Sequence, residues 1–541
     1  MKVSDAIAEI LRREGVGTVI GYPVNHILER GAAAGIRPIL VRQERTGLHM
    51  ADAMSRVTSG DTVGVFVMQH GPGTENAYGA VAQAYGDSVP VLVMPGGYAR
   101  QKAWIDRNYN ASLQMRGVAK SAEPILMPGE LVAIMRRAFT RLRSGRGGPC
   151  LVEVPQDVWN EETDVSSYVP SRRLRAGPDP DAIREAAKML LAAKRPVLYV
   201  GQGVHWAKAW AELKVLAEWL AIPVCTSLQG KSAFPETHPL ALGSGGLAYP
   251  ATVHHFLKEA DLILGIGCSF SSTNYGVAMP SGKAIIHSTL DATDVNKDVG
   301  CALAVLGDAK LTLQALIDEV SQTQRSPRSA SAVTKEIREI YDPWLAKWMP
   351  KLTHDAAPFS PYRVLWDLQN TVDVANTIIT HDAGSPRDQL SPFWRSVTPL
   401  SYIGWGKTTQ LGYGLGLAMG AKLAKPDKLC VNVWGDAAIG FTGMDFETAV
   451  RERIPILSIL LNNFSMAIEL KVMPVSTEKY RSTDISGNYA AFAQALGGYG
   501  ERIEKTADIV PAIKRGIKAT QEGKPALLEF ITTKEVEVSK F

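Results

Sequence analysis

Cysteine is scarce in this sequence and shows no pairing pattern. Cys150, Cys225, Cys268, Cys301 and Cys430 are odd in number, far apart, and form no Cys-x-x-Cys motif. That argues against a disulfide scaffold and for a reduced, cytoplasmic setting. Long apolar runs are missing too: none reaches the roughly 18 residues that a membrane span needs. No signal-peptide layout opens the chain; MKVSDAIAEILRREGV reads as an amphipathic helix capped by Ser4. Charge of one sign is also lacking. The net charge is +4, with Lys and Arg interleaved among Asp and Glu, which gives no nucleic-acid surface. What remains is 541 residues, 46% hydrophobic and 21% charged, the profile of a soluble globular chain of about three domains.

Along the chain, helical and strand patterns alternate. Residues 1–167 offer strands at Thr18–Gly21, Pro38–Val41, Val63–Met68 and Val89–Met94, with helices between them. A polar, Pro-rich linker precedes a second α/β unit at 181–334. A charged, Trp-containing bridge, about Lys335–Pro358, leads to a third at 355–541. The expected fold is α/β, with three doubly wound parallel-sheet domains. The first and last should be alike in architecture without a traceable sequence repeat.

Chemistry concentrates in the third unit. Leu429–Trp434 and Ile456–Leu461 read as strands, with a helix expected from about Met444 to Arg453. A βαβ unit of this kind makes the strands parallel. Asp436 and Asn463 should then stand together just beyond the strands' carboxyl ends, where ligands bind in open α/β sheets. A carboxylate and an amide oxygen suit Mg2+, which prefers hard oxygen ligands and shares them with phosphates. The backbone at Ser465 could add a third oxygen.

The stretch Gly435-Asp436-Ala437 followed by Asn462-Asn463 resembles the GDG…NN signature of thiamine diphosphate enzymes, with Ala437 in place of the second Gly and Ala438 in place of a common hydroxyl residue. RQERTGLHMADAMSRVTSG resembles the segment that carries the catalytic glutamate in acetolactate synthases. QHGPGTENAYGAVAQAYGDSVPVLVMPG resembles their SGPGATN segment. GWGKTTQLGYG, residues 404–414, resembles the family's G-x-G-x-M-G-Y-G. The chain is thus similar to the group that includes acetolactate synthases, benzoylformate decarboxylases and benzaldehyde lyase, with the acetolactate synthase large subunit nearest in overall pattern.

The resemblance implies an aminopyrimidine-binding first domain, a central domain, and a third domain that binds diphosphate and Mg2+. Glu44 matches the glutamate that hydrogen-bonds the cofactor's N1′ and favours its imino tautomer. Leu411 matches the apolar residue that bends the cofactor, and the Thr409 carbonyl would take the N4′ hydrogen. Pro23, Gly73 and Asn76 would line the pyrimidine side. Gly384, Ser385, Gly435, Ala437, Ala438 and Met466 would line the diphosphate side, and Asp436, Asn463 and Ser465 would hold the metal. The substrate, a 2-oxo acid or an aldehyde or ketone, would meet Asn25, His26, His70, Gln114 and Glu469. Asn25-His26 and Gln114 follow the lyase and synthase pattern, whereas Glu469 resembles a decarboxylase glutamate without an accompanying His pair. Carboligation, simple decarboxylation and benzoin-type cleavage therefore stay open. A homodimer or homotetramer is implied, with sites between chains. In flavin-bearing synthases an arginine stands near the position of Cys268, so the sequence argues against FAD. Two further readings compete. One is a nucleotide-dependent oxidoreductase using Gly201-Gln202-Gly203, and the other a relative without catalytic activity. The first leaves Glu44 and Asp436 unexplained, and retention of Glu44, Asp436 and Asn463 argues against the second.

Overall fold

The computed structural model describes residues 1–404 and 406–541. Trp405, inside the glycine-rich segment singled out above, lies outside the described residues. Three six-stranded sheets follow one another along the chain, and every strand pairing in them is parallel.

The first sheet holds β1 (Thr18–Tyr22), β2 (Arg37–Leu40), β3 (Gly64–Met68), β4 (Val91–Gly97), β5 (Ser121–Pro124) and β6 (Cys150–Pro155), in the order β2-β1-β3-β4-β6-β5. The second holds β7 (Pro196–Val200), β8 (Val224–Ser227), β9 (Ala241–Gly245), β10 (Leu262–Ile266), β11 (Ala284–Thr289) and β12 (Leu303–Leu306), in the order β12-β11-β10-β7-β8-β9. The third holds β13 (Thr377–His381), β14 (Tyr402–Ile403), β15 (Leu429–Gly435), β16 (Leu457–Asn462), β17 (Tyr499–Ile503) and β18 (Ala526–Ile531), in the order β14-β13-β15-β16-β18-β17. Counted from its own first strand, the third sheet repeats the strand order of the first. The middle sheet instead has the dinucleotide-fold order read from its far edge. Strands such as Val91–Gly97 and Cys150–Pro155 are buried along their whole length, as sheets covered by helices on both faces require.

Some local expectations change. The N-terminal helix runs Val3–Arg13; Ser4 lies inside it, buried, and Lys2 takes the cap position without a side-chain bond. β2 stops at Leu40 and not Val41, and after a short loop Glu44 opens the helix Glu44–Arg56. The Trp-containing bridge is one helix, Ser331–Thr353, whose Trp344 and Trp348 pack against Phe393.

The first and third sheets meet through two helices, Glu44–Arg56 and Tyr413–Ala424. They touch backbone to backbone: a Cβ on Gly420 would stand 2.1 Å from the Met50 carbonyl oxygen, and one on Gly416 would stand 2.8 Å from that of Thr46. Beside this contact, Arg56 is buried. Its guanidinium binds Asp52 at 2.5 Å, Asp87 at 2.9 Å, the Tyr413 hydroxyl at 2.6 Å and the Gly404 carbonyl at 2.9 Å. A charge this deep is tolerable only with such partners.

Gly420→Ala should therefore destabilise the protein by about 1–3 kcal/mol through overpacking, read as a lower urea midpoint. Gly440→Ala, where the added Cβ meets open space in the helix Asp436–Thr442, should be neutral or stabilising. Equal midpoints for the two variants would show that the helix contact relaxes freely.

Candidate functional site

The carboxyl edge of the third sheet gathers three loops. β15 and β16 are neighbours, with Gly435 opposite Leu461. Asp436 directly opens the helix Asp436–Thr442, followed by a 3-10 turn and the helix Phe446–Arg451. The helix thus begins well before the expected Met444. Its alanines favour helix, and an acid suits its first turn. The Asp436 carboxylate accepts from Ala437 N at 2.9 Å and from Ser465 N at 3.1 Å, so it ties the two loops together. Burial pushes this carboxyl up from its ordinary range, against the lowering effect of those N–H donors.

Beyond β16 the chain turns through Phe464, whose φ of 55° is left-handed and unusual for an aromatic residue. Asn462 Oδ1 accepts from Phe464 N at 3.0 Å and holds that turn. The turn leaves the Asn463 Oδ1 and Ser465 Oγ atoms buried without a hydrogen-bond partner. Buried polar atoms of this kind normally have one. The third loop is the turn at Gly384, which caps the helix Ser385–Leu390. Gly384 has φ 84°, and a Cβ there would stand 3.7 Å from Ile468 Cδ1. From Gly435, Pro386 Cγ would be 3.8 Å away. One carboxylate, an orphaned amide oxygen on the loop it binds, and the neighbouring glycines Gly384 and Gly435 fit a hard divalent cation carrying a diphosphate. Among the described residues no group of three or more His, Cys, Asp or Glu could hold a metal. A two-residue oxygen set that leaves room for phosphate oxygens is the arrangement Mg2+ uses.

Asp382, which no motif in the sequence singles out, organises the neighbouring segment. Its Oδ1 accepts from Ala383 N at 2.8 Å and Gly412 N at 2.9 Å, and its Oδ2 accepts from Gly414 N at 2.9 Å. It is fully buried, and burial raises its pKa to about 6 despite three N–H donors. The segment it holds carries Thr409, exposed, and Leu411, partly buried against the core. On its other side the same segment is fixed to the first domain. Asp87 accepts from Gly406 N and Lys407 N, both at 3.2 Å, and His49 Nε2 lies 2.7 Å from Gln410 Oε1.

The remaining candidates sit at the carboxyl edge of the first sheet. Glu44 is buried; its Oε2 accepts from Asn76 Nδ2 at 3.3 Å, and its Oε1 would be 3.4 Å from a Cβ on Gly73. Burial pushes the Glu44 carboxyl up, with a smaller contribution from nearby Asp445. Pro23 is exposed at the end of β1. His26 is exposed and lies over Trp159, ring centroids 5.1 Å apart. His70 meets Tyr98 edge-on at 4.8 Å and lies 3.2 Å from Gln156 Nε2. Asn25 is engaged structurally. Its Nδ2 donates to the Met68 and Met94 carbonyls at 3.0 and 3.1 Å, and its Oδ1 caps the next helix at Ile27 N. Gln114 is exposed at the end of the helix Ala111–Gln114. On the third sheet, Glu469 is exposed, Met466 N donates to Thr483 O at 2.8 Å, and the Ala438 side chain is in the core. Among the described residues no hydrogen bond or ion pair joins Glu44, His26, His70 or Gln114 to Asp436, Asn463, Ser465 or Glu469.

In the middle sheet, Gly201 and Gly203 serve internal packing. Cβ atoms there would stand 2.3 Å from the Gly267 oxygen and 2.6 Å from the Gly267 Cα. Close passage of two strand-end loops accounts for both glycines without a nucleotide. Beside them lies a cavity of about 380 Å3 reached by Trp206, Phe270 and Lys407.

Comparison with known proteins gives the family. Residues 1–113 match the thiamine pyrophosphate enzyme N-terminal TPP binding domain, 183–316 the central domain, and 382–530 the C-terminal TPP binding domain. A probable acetolactate synthase large subunit of Methanocaldococcus jannaschii is 30% identical over 98% of this chain and 92% of its own length. The acetolactate synthase isozyme 3 large subunit of Escherichia coli K12 is 30% identical over 85% of this chain and 82% of its own. The crystal structure of benzoylformate decarboxylase from Polynucleobacter necessarius superposes with a TM-score of 0.83 at 21% identity, covering 99% of both chains, a likeness of fold. With three domains matched in order and a full-length relative at this identity, the chain belongs to the thiamine pyrophosphate enzyme family and is a thiamine pyrophosphate-dependent enzyme of the transferase/lyase type.

Proposed function

We propose that this enzyme joins or cleaves carbon–carbon bonds on a 2-oxo acid, in the manner of an acetolactate synthase, with Mg2+ as its metal. The observation that carries the metal assignment is the buried, partnerless Asn463 Oδ1, in the same turn that brings Ser465 N onto the Asp436 carboxylate. Asp436, Asn463 and the Ser465 backbone would hold Mg2+. Gly384, Ser385, Gly435, Ala437, Met466 and the Ala438 backbone would take the diphosphate. When bound, thiamine diphosphate supplies the carbon nucleophile and the electron sink. Glu44 keeps a proton more readily than an ordinary carboxylate, because burial disfavours its charge, and can hold that proton at N1′. Gly73, Asn76 and Pro23 would border the ring, Leu411 would set its angle, and the Thr409 carbonyl would accept from N4′. His26, His70, Gln114 and Glu469 are the groups proposed to bind substrate and move its protons; Asn25 shapes the loop that carries His26. FAD has no part in this reading.

Capture of a second carbonyl is favoured over simple aldehyde release. The acetolactate synthase relatives and the Gln114 and His26 pattern support this. The likeness in fold to a decarboxylase, with Glu469 exposed at the sheet edge, supports the alternative. Product analysis by mass spectrometry, with pyruvate or benzoylformate and excess aldehyde, decides between them. A 2-hydroxyketone or acetolactate-type product is expected; free aldehyde and CO2 alone would make the enzyme a decarboxylase.

The site is further proposed to form between two chains. Within one chain Glu44 faces Asn76 and Asp445. The first domain exposes Tyr78, Tyr85, Trp104 and Ile105, and the third exposes Ile468, Val472, Val475 and Tyr480. Apolar exposure of this extent suits a second copy. Glu44→Gln should slow C2 hydrogen–deuterium exchange of the bound cofactor by about 10²–10⁴-fold. Asp436→Ala should weaken cofactor retention. Each variant alone should be inactive, yet co-refolded mixtures should regain roughly a quarter of wild-type activity, because a mixed two-fold dimer keeps one intact site. Mixtures as inactive as their components would place the site within one chain.

Asp382 gives a pH test. Its three N–H donors need the ionised carboxylate, and its pKa is about 6. As pH falls through about 6 the proton displaces an acceptor, the Leu411–Gly414 turn loosens, and cofactor affinity should drop. Affinity should be flat above pH 7. Asp382→Asn should bind roughly tenfold or more weaker, at the cost of a charged hydrogen bond, and should lose the inflection. Calorimetric titration of thiamine diphosphate between pH 5 and 8 reads both effects; an inflection that persists in Asp382→Asn would assign it elsewhere.

A further inference from the structure

Glu529 lies in the middle of β18, fully buried, and is none of the residues assigned above. A carboxylate there needs a reason, since buried acids are rarely kept without one. Both of its oxygens are engaged. Oε1 accepts from Asn462 Nδ2 at 2.7 Å, and Oε2 accepts from Ala490 N at 2.9 Å. Each bond leads to one of the two loops proposed to hold the metal.

The first route runs through Asn462. With its Nδ2 fixed on Glu529, Asn462 can present only Oδ1 to Phe464 N. That bond holds Phe464 at φ 55°, a left-handed conformation that non-glycine residues adopt only when something holds them there. This turn leaves Asn463 Oδ1 buried without a partner and brings Ser465 N onto Asp436. Arg502 completes the fit, its guanidinium 5.6 Å from the Phe464 ring centroid and 3.8 Å from Glu529 Oε1. The second route runs through Ala490, near the start of the helix Tyr489–Ala495. The Tyr489 hydroxyl lies between two acceptors, the Ser486 carbonyl at 3.2 Å and the Asp436 carbonyl at 3.4 Å, so this route is the weaker one.

We infer that Glu529 is a positioning residue for the metal loop, acting through Asn462 to set the turn that presents Asn463 and Ser465. The inference rests on the proposed metal site. Outer partners of metal ligands orient them, and losing one typically costs 10–100-fold in metal affinity.

Mn2+ serves as the probe, its binding followed by electron paramagnetic resonance in the presence of thiamine diphosphate. Glu529→Gln turns one acceptor into a donor facing either Asn462 Nδ2 or Ala490 N, and Mn2+ should bind about 10–100-fold weaker. Asn462→Asp alone sets two carboxylates against each other and should also weaken binding. The double variant E529Q/N462D reverses the polarity of the bond. The introduced glutamine still accepts from Ala490 N through its oxygen and donates from its amide to the introduced aspartate. That aspartate still accepts from Phe464 N. Mn2+ affinity should recover most of the loss. A purely structural role would lower the thermal midpoint of Glu529→Gln without changing the Mn2+ affinity of the folded protein, and that result overturns the inference. So does a double variant that folds without recovering affinity, or one that neither folds nor binds. Asp436→Ala separates the two levels. If it leaves Mn2+ binding intact, the metal reading falls and takes this inference with it; if it abolishes binding while Glu529→Gln binds like wild type, only this inference falls.

Discussion

The contact between Glu44–Arg56 and Tyr413–Ala424 is the constraint from which the rest of the molecule follows. Two glycines bring one backbone against another, so the helices have almost no freedom to slide. The N-terminus of one helix carries Glu44, and the N-terminus of the other follows Leu411 and Gly412. Whatever fixes the helix pair therefore fixes both candidate groups. The buried Arg56 cluster adds directional bonds to what would otherwise be a contact of shape alone. Its five partner atoms come from both domains, so neither domain satisfies Arg56 by itself.

The segment from Gly406 to Gly414 is held from two further sides. Asp87 grips its start and Asp382 its end, while Lys407 Nζ reaches Ser271 of the middle domain at 2.8 Å. A glycine-rich stretch without such anchors would sample many conformations. Here the small residues allow close approach, and two buried carboxylates remove the freedom they would otherwise bring.

The sequence showed the architecture clearly, because fully buried parallel strands are apolar runs and the turns between them are rich in Gly, Pro and Asn. β15 and β16 were readable within a residue or two for that reason. Helix starts were less legible. Glu44 opens a helix after a short loop and Asp436 opens one directly after a strand, and an acid at either point reads equally well as a loop residue. The positioning groups were hidden more deeply. Asp382 and Glu529 act by accepting backbone or amide N–H groups distant in sequence, and no local pattern marks such a carboxylate. Glu529 looks like an irregularity in an apolar strand. A charged residue inside a run that is otherwise buried on both faces is the one signal that could have found it. At Gly201 and Gly203 a tight loop crossing leaves the same mark in the sequence as a phosphate cradle.

The shared strand order of the first and third sheets extends to the loops. Counted from each sheet's own first strand, Pro23 corresponds to the loop at Gly384, Glu44 to the turn at Leu411 and Gly412, and Gly73 to Gly435 and Ala437. The candidate site is thus assembled from two editions of the same three joints. In one edition the joints carry the Glu44 carboxyl group and the Gly73 backbone; in the other they carry the glycine backbone of Gly384, Gly412 and Gly435 beside the Asp436 carboxylate. A cofactor that is a heterocycle at one end and a pair of phosphates at the other has a matching asymmetry. A single layout, used twice and furnished differently, is enough to read both ends of such a molecule.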